Sequence, residues 1–124
     1  MADDIRQLGR ITEYGKITGS SATTIFTAQG STSIKSIVVC ENAGSTPNLT
    51  IEVYDVANTT SYYPGATNGT AWKAKAVTAG QAVTVNEAFT LPALWAIRIT
   101  SSDAAGKFDW FVTYEMSAAA ARGR

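Results

Sequence analysis

Residues 33–42, SIKSIVVCEN, and residues 48–56, NLTIEVYDV, decide the fold of this chain. β-Branched side chains are frequent in both stretches, and the five residues between them, AGSTP, are typical of a turn. In the second stretch, alternation predicts that Leu49, Ile51 and Val53 point inward. Thr50, Glu52 and Tyr54 are predicted to point outward. The pattern therefore predicts two β-strands joined by a loop.

The first of these stretches is apolar on both of its predicted faces. Such a strand is expected inside a sheet, where the protein core covers one side and another layer covers the other. Strict alternation divides it into two sets, Ile34, Ser36, Val38 and Cys40 on one face and Lys35, Ile37, Val39 and Glu41 on the other. Cys40 is accordingly expected to be a buried structural thiol.

Short alternating stretches recur along the rest of the chain, separated by turn residues. Gly15 in the first stretch is expected to mark a bulge or bend, and residues 57–70 form the longest stretch without a strand pattern. With no amphipathic helix, about eight strands predict an all-β fold: an antiparallel two-sheet β-sandwich of jelly-roll or Ig-like type. The further strands are expected within residues 10–18, 22–28, 72–77, 81–91, 94–100 and 107–116.

A chain of 124 residues corresponds to a single domain. The predicted organisation is an N-terminal arm over residues 1–9, the β-sandwich domain over residues 10–116 and a C-terminal arm over residues 117–124. The start of the chain lacks the basic and apolar segments of a secretory signal. We therefore expect synthesis in the cytosol without secretion.

Composition argues against several classes of function. The chain has 10 basic and 10 acidic residues, so it lacks the charge excess expected of a protein that binds nucleic acid or an anionic membrane. It has no histidine, and Cys40 is its only cysteine, which removes the commonest general base and metal ligands. We therefore expect no enzyme activity, no metal, no cofactor and no small-molecule substrate.

Carboxylate pairs are the remaining candidates for acid–base chemistry. Glu52 with Asp55 and Asp103 with Asp109 have the right residue type. Their positions on outward strand faces and in turns favour solvated or turn-stabilising roles instead. No phosphate-binding glycine motif is present.

Several segments together resemble small structural proteins of tailed-bacteriophage virions. These segments are TTIFTA at 23–28, GSTSIKSIVVCEN at 30–42, LTIEVYD at 49–55, TAG at 78–80 with VTV at 83–85, and YE at 114–115. The late GD turn usual in that class is replaced here by LPALW at 91–95. The resemblance implies a non-enzymatic virion protein similar to capsid decoration, or cement, proteins.

The resemblance also implies partners, namely copies of the chain itself and the major capsid protein or another virion protein. Contacts are expected from the 57–70 loop and the two arms, since tyrosine is enriched at protein interfaces. The predicted interface residues are Tyr54, Tyr62, Tyr63, Arg122 and Arg124.

Two alternatives stay open at this point. One is a neck, tail or baseplate component of the virion. The other is a carbohydrate-binding host-adhesion module, in which Tyr62, Tyr63 and Trp72 would form a stacking platform for sugar rings. Exposed and coplanar rings would favour that second alternative.

Overall fold

The computed structural model describes residues 9–64, 72–85, 88–102 and 107–116, and these ranges contain strands and turns but no helix. No helix in the described part of the chain could therefore span a membrane. The ten strands are β1 (Ile11–Ile17), β2 (Thr23–Thr27), β3 (Thr32–Glu41), β4 (Asn48–Asp55), β5 (Thr60–Tyr62), β6 (Lys75–Ala76), β7 (Ala82–Val85), β8 (Phe89–Leu91), β9 (Ala96–Ser101) and β10 (Phe108–Met116).

The strands form two antiparallel sheets, which confirms the predicted all-β sandwich. Sheet A has the order β1-β10-β3, with β7 and β8 pairing in turn with the far side of β3. Sheet B has the order β2-β9-β4, with β5 and β6 pairing with the far side of β4. Strands β5 and β6 together form one edge of sheet B, and β7 and β8 together form one edge of sheet A. When each of these pairs is counted as a single strand, every connection crosses from one sheet to the other, except the connection from β4 to β5–β6. Of the two expected topologies, this order is that of the jelly roll.

The core lies between the sheets and is built by the inward residues of the long central strands. Transferring each such side chain from water contributes about 1.5–3 kcal/mol to the free energy of folding. The core residues with no exposed surface are Ala28, Ile37, Val39, Leu49, Ile51, Leu91, Ile97, Ile99, Phe108 and Val112. The inward assignment of Leu49 and Ile51 from their alternation is thus confirmed.

Strand β3 departs from the strict alternation expected of it. Its pairing with β10 shifts by one residue, because Thr113 lies opposite Ser36 whereas Tyr114 lies opposite Ile34. The extra residue, Lys35, is a β-bulge that moves Ile34 onto the same buried face as Ile37. The division of β3 into two unbroken faces was therefore wrong, and Cys40 at its end is half-buried.

Gly15 marks a close approach of a side chain, and the expected bulge or bend is absent. Strand β1 pairs with β10 in continuous register from Ile11 to Ile17, with Gly15 directly opposite Trp110. A Cβ placed on Gly15 would lie 2.7 Å from Cζ2 of Trp110. The indole ring thus packs on the glycine backbone, an arrangement known to support glycine in edge strands.

Three of the predicted elements have different bounds in the structure. The strand expected over 72–77 is reduced to Lys75–Ala76, and that expected over 81–91 is divided into Ala82–Val85 and Phe89–Leu91. The 57–70 loop contains β5, which follows a turn in which Thr59 has a φ of 49°. Side-chain hydrogen bonds stabilise that turn and allow this short hairpin. The alternation of apolar and polar residues cannot predict such bonds.

Candidate interaction surfaces

Tyr62 lies on β5, at the edge of sheet B, and 52% of its surface is exposed. Its ring stacks on that of Trp95, with centroids 5.5 Å apart and an interplanar angle of 18°. Tyr62 lies opposite Val53 in the β4–β5 pairing, which directs both side chains toward the space between the sheets. The stack therefore holds an exposed aromatic ring in one orientation.

Tyr63 continues this surface beyond the end of β5. The ammonium nitrogen of Lys73 lies 5.2 Å from the centroid of its ring, within range of a cation–π contact. Both tyrosines line a shallow apolar hollow of about 250 Å³ between the β5 edge of sheet B and the β7–β8 edge of sheet A. We call it the edge hollow; it is lined by Val53, Tyr62, Tyr63, Pro64, Val85, Ala88 and Phe89.

Tyr54 lies on the outer face of sheet B, away from the edge hollow. It lies opposite Ser61 in the β4–β5 pairing, so its side chain points to the face opposite that of Tyr62. The guanidinium carbon of Arg98 lies 3.7 Å from the centroid of its ring. Within this chain, Tyr54 is therefore already covered by a cation.

Arg98 also joins Tyr54 to a buried carboxylate. Its Nη2 lies 2.8 Å from Oε1 of Glu52, which also accepts a 2.5 Å hydrogen bond from Oγ of Ser61. Glu52 is only 7% exposed, so the expectation of a solvated outward carboxylate was wrong. Its ion pair and hydrogen bond compensate for the loss of water.

The structure brings together only part of the predicted interface. Tyr62 and Tyr63 share the edge hollow, whereas Tyr54 belongs to the outer face of sheet B. Arg122 and Arg124 lie outside the described residues. The predicted sugar platform of Tyr62, Tyr63 and Trp72 does not form, because Trp72 is only 5% exposed.

A second aromatic surface, which our reading of the sequence missed, lies on the outer face of sheet A. Tyr14 and Phe111 are directly opposite each other on β1 and β10, with ring centroids 6.3 Å apart. They border an open hollow of about 410 Å³ that Gly15, Lys16 and Asp109 also line. Phe111 was detectable as the apolar residue on the otherwise polar side of the alternating 107–116 stretch.

Glu41 is a buried carboxylate whose role is structural. It accepts backbone hydrogen bonds from Gly80 and Ala43 at 2.9 Å, Gly44 at 3.1 Å and Ser45 at 3.2 Å. These donors, that of Gly80 foremost, lower the pKa of Glu41 from 4.5 to about 2. The carboxylate thus joins the β3–β4 loop to the turn before β7.

Two further groups have pKa values shifted by their neighbours. A 2.7 Å hydrogen bond from Lys16 is the main cause that lowers the pKa of Asp109. Burial, together with the hydrogen bond that its hydroxyl donates to Glu13 at 2.7 Å, raises the pKa of Tyr114 to about 12. Both interactions connect β1 to β10.

The remaining candidate carboxylates have local partners. Asp55 accepts hydrogen bonds from the backbone and side-chain nitrogens of Asn58 at 3.3 and 2.7 Å, which stabilises the β4–β5 turn. Asp103 lies outside the described residues. Among the residues that are described, no three acidic or cysteine side chains cluster as metal ligands would. The surfaces that stand out are thus aromatic and suited to contact.

Comparison with known proteins gives distant structural likenesses. No family model and no curated protein match the chain. A chain of the cyanophage Pam1 capsid asymmetric unit is similar with 21% identity and a TM-score of 0.42, over 88% of this chain and 81% of that one. A chain of the disulfide-linked pili of Bacillus endospore appendages is similar with 19% identity and a TM-score of 0.38, over 87% and 89% respectively. Likenesses of this degree carry no argument about function.

Proposed function

We propose that this chain is a non-enzymatic virion structural protein that decorates and stabilises a capsid shell through repeated protein–protein contacts. The observation that carries the proposal is the edge hollow, with the half-exposed Tyr62 ring held against Trp95. The sequence resemblance to tailed-phage virion proteins supplies the biological setting. The proposed partners are copies of the chain and the major capsid protein or another virion protein.

The geometry of Tyr62 suits an anchor residue for protein recognition. A tyrosine ring has few rotatable bonds, and stacking on Trp95 orders it before binding, so little conformational entropy is lost in the complex. The hollow around it is lined mainly by apolar groups, into which a partner side chain can pack. An exposed ring beside an apolar recess is the arrangement from which interface hot spots are made.

The proposed division into one sandwich domain and two arms suits a virion structural protein. A sandwich over residues 10–116, with arms over residues 1–9 and 117–124, would offer a rigid body and two segments for contact with neighbouring subunits. Arg122 and Arg124 remain proposed contact residues of the C-terminal arm. A neck, tail or baseplate position would use the same kinds of contact at lower copy number.

The carbohydrate-binding alternative loses its main element. The platform proposed for it needs three exposed aromatic rings, and Trp72 is buried beneath Lys75, whose Nζ lies 5.5 Å from the centroid of the Trp72 ring. Tyr62 is instead stacked on Trp95. Protein contact is therefore the function that these rings support best.

Binding to virions that lack the protein tests the proposal. Tyr62→Ser should lower the affinity by about 30-fold or more, as expected for removal of an aromatic hot spot of about 2 kcal/mol. Val56→Ser is the matched control, because Val56 is 50% exposed but lies outside the edge hollow. Electron microscopy of decorated particles should then locate hundreds of copies on the shell.

Equal binding of wild type and Tyr62→Ser would contradict the role given to the edge hollow. A few dozen copies or fewer, confined to a vertex or the tail, would instead assign the chain to the neck, tail or baseplate. Absence of the chain from the particle would reject a virion role.

A further inference from the structure

The outer face of sheet A has an unusual distribution of exposed side chains. Across β1 and β10, opposite residues form three successive rungs, and an ion pair just before β1 adds a fourth. We call this surface the β1–β10 face; from one end to the other, its rungs are Arg10 with Glu115, Thr12 with Thr113, Tyr14 with Phe111 and Lys16 with Asp109.

The centre of the β1–β10 face is aromatic and open to solvent. Tyr14 is 74% exposed and Phe111 is 40% exposed, and the open hollow described above lies beside them. The corresponding aromatic on the outer face of sheet B, Tyr54, is covered by Arg98. Exposed aromatic groups ringed by polar residues are typical of interaction sites.

Charge on this face is segregated by strand. Both cations, Arg10 and Lys16, lie on the β1 side, and both anions, Asp109 and Glu115, lie on β10. The cations are six residues apart, as are the anions, so the two columns match in height along the strands. Such a pattern is complementary to itself when one column is placed over the other.

Two symmetric face-to-face arrangements keep the strands of two identical copies aligned, and their electrostatics differ. A two-fold axis parallel to the strands places β1 over the partner's β10, so that Arg10 meets Glu115 and Lys16 meets Asp109. An axis perpendicular to the strands places β1 over β1 with heights reversed, so that Arg10 meets Lys16. Because juxtaposed like charges are unfavourable, only the first arrangement is electrostatically complementary.

We propose that the β1–β10 face binds a second copy of this chain about a two-fold axis parallel to its strands. Tyr14 of each copy then packs against Phe111 of the other, and the intrachain ion pair at each end lies over the same pair of the partner with opposite charges facing. The inference deepens the proposed structural role, on which its biological setting rests, by naming one surface through which copies of the chain meet.

The size of the face sets the expected affinity. Two strands of seven residues offer an area of about 10 by 23 Å, or roughly 230 Å² on each copy, which is below the range of standard specific interfaces and makes this a weak contact. We therefore expect a dissociation constant of about 0.1–1 mM for the isolated chain. Repetition of the contact in an assembly would raise its effective strength by avidity.

Sedimentation equilibrium of the full chain from about 10 μM to 2 mM, under reducing conditions, tests this affinity range. Wild type should show a monomer–dimer equilibrium, and Phe111→Ser should weaken it at least about tenfold, since its ring lies at the centre of the contact. Leu94→Ser is the control, because Leu94 is 66% exposed but lies in the loop before β9. Circular dichroism should show that each variant is folded.

A charge reversal tests the orientation. About the proposed axis, Lys16→Glu faces the partner's Asp109 and should weaken the dimer, whereas about the perpendicular axis it would face the partner's Arg10 and strengthen it. Combining Lys16→Glu with Asp109→Lys should restore the dimer, because the exchanged charges are again complementary. The proposal would be overturned if wild type stayed monomeric over the whole concentration range or if Phe111→Ser had the same dissociation constant as wild type. Failure of the variant with exchanged charges at residues 16 and 109 to dimerise would also overturn it.

The two proposals fail separately. Normal dimerisation with no binding to particles would reject the virion role and leave the self-contact standing. If the chain bound particles through Tyr62 but was monomeric at every concentration, the self-contact would be rejected and the virion role would stand.

Discussion

Replacing Gly15 by alanine should destabilise the protein, although glycine inside a strand is usually less stabilising than alanine. The new Cβ would lie 2.7, 2.9 and 3.0 Å from three atoms of the Trp110 ring. Ordinary contact begins at 3.4 Å, so the ring or strand β1 must move by several tenths of an ångström. Overpacking of this kind costs about 1–3 kcal/mol.

The opposing effect is the reduced freedom of the unfolded chain. Alanine in place of glycine in a strand ordinarily gains about 0.5–1 kcal/mol from this source. The net loss in the free energy of unfolding should thus be about 1 kcal/mol, within a range of about 0–2.5 kcal/mol, and Tm should fall by about 4 °C for a domain of this size. The clash outweighs the entropy gain because Trp110 is held between β1 and β3 on the inner side of sheet A.

Urea unfolding followed by circular dichroism measures this difference. Gly19→Ala is the matched control, because a Cβ there meets nothing within 4 Å, and it should be neutral or stabilising by up to about 1 kcal/mol. In a Trp110→Phe background, Gly15→Ala should cost less, since the smaller ring can retreat. If Gly15→Ala proved as stable as Gly19→Ala, the close approach would not be the reason for glycine.

Three other interactions make separate predictions. Glu41→Gln should be less stable than wild type at neutral pH, and its stability should depend less on pH in acid. The pKa of Glu41 is about 2 in the folded protein and 4.5 ordinarily, so its stabilisation is present above pH 4.5 and is lost as the pH falls toward 2. Urea unfolding midpoints measured across that pH range would reveal the difference. Arg98→Ala should lower the free energy of unfolding by about 2–3 kcal/mol, because it leaves Glu52 buried without its cation, and adding Glu52→Gln should recover part of the loss. If Arg98→Ala cost the same in the wild type and in the Glu52→Gln variant, the result would be inconsistent with the ion pair. Tyr114→Phe should lower stability by about 1 kcal/mol through the lost hydrogen bond to Glu13. Ultraviolet titration should place the pKa of Tyr114 near 12, with stability falling from pH 10 to 12, and ionisation of Tyr114 near pH 10 would contradict its burial.

Strand periodicity located the long elements well. Alternation over 48–56 and 107–116 predicted β4 and β10 within one residue, and Leu49 and Phe108, which lie on the apolar sides of these stretches, are core residues. These strands have one face toward the core and one toward the outside, so the two-residue period is expressed directly in side-chain polarity.

Periodicity failed where one residue changes phase or where contacts define a short strand. The bulge at Lys35 puts Thr32 and Ile34 on the same buried face as Ile37 and Val39, out of phase with strict alternation, and nothing in the composition of β3 signals this. Strand β5 has three residues and forms because β4 offers a free edge beside the turn stabilised by Asp55. Such features depend on a partner strand that is remote in sequence or on a local hydrogen bond.

The candidate surfaces divide in the same way. Tyr62 and Tyr63 were predicted because a tyrosine pair in a polar loop is conspicuous, whereas Tyr14 and Phe111 are separated by 97 positions and meet only through the β1–β10 pairing. Likewise, the carbohydrate-binding alternative grouped Trp72 with Tyr62 as exposed rings, but Trp72 is buried and Tyr62 is half exposed.

The amino-acid sequence by itself determined that this chain forms a β-sandwich, because alternation along one strand is a local property that needs no partner to be read. Only the tertiary structure decided which aromatic rings share a surface, that cations and anions form separate columns on one face, and that Glu41 joins two loops. These depend on the register between strands, which is set by the packing of all core residues at once and is recorded in no single stretch of the chain.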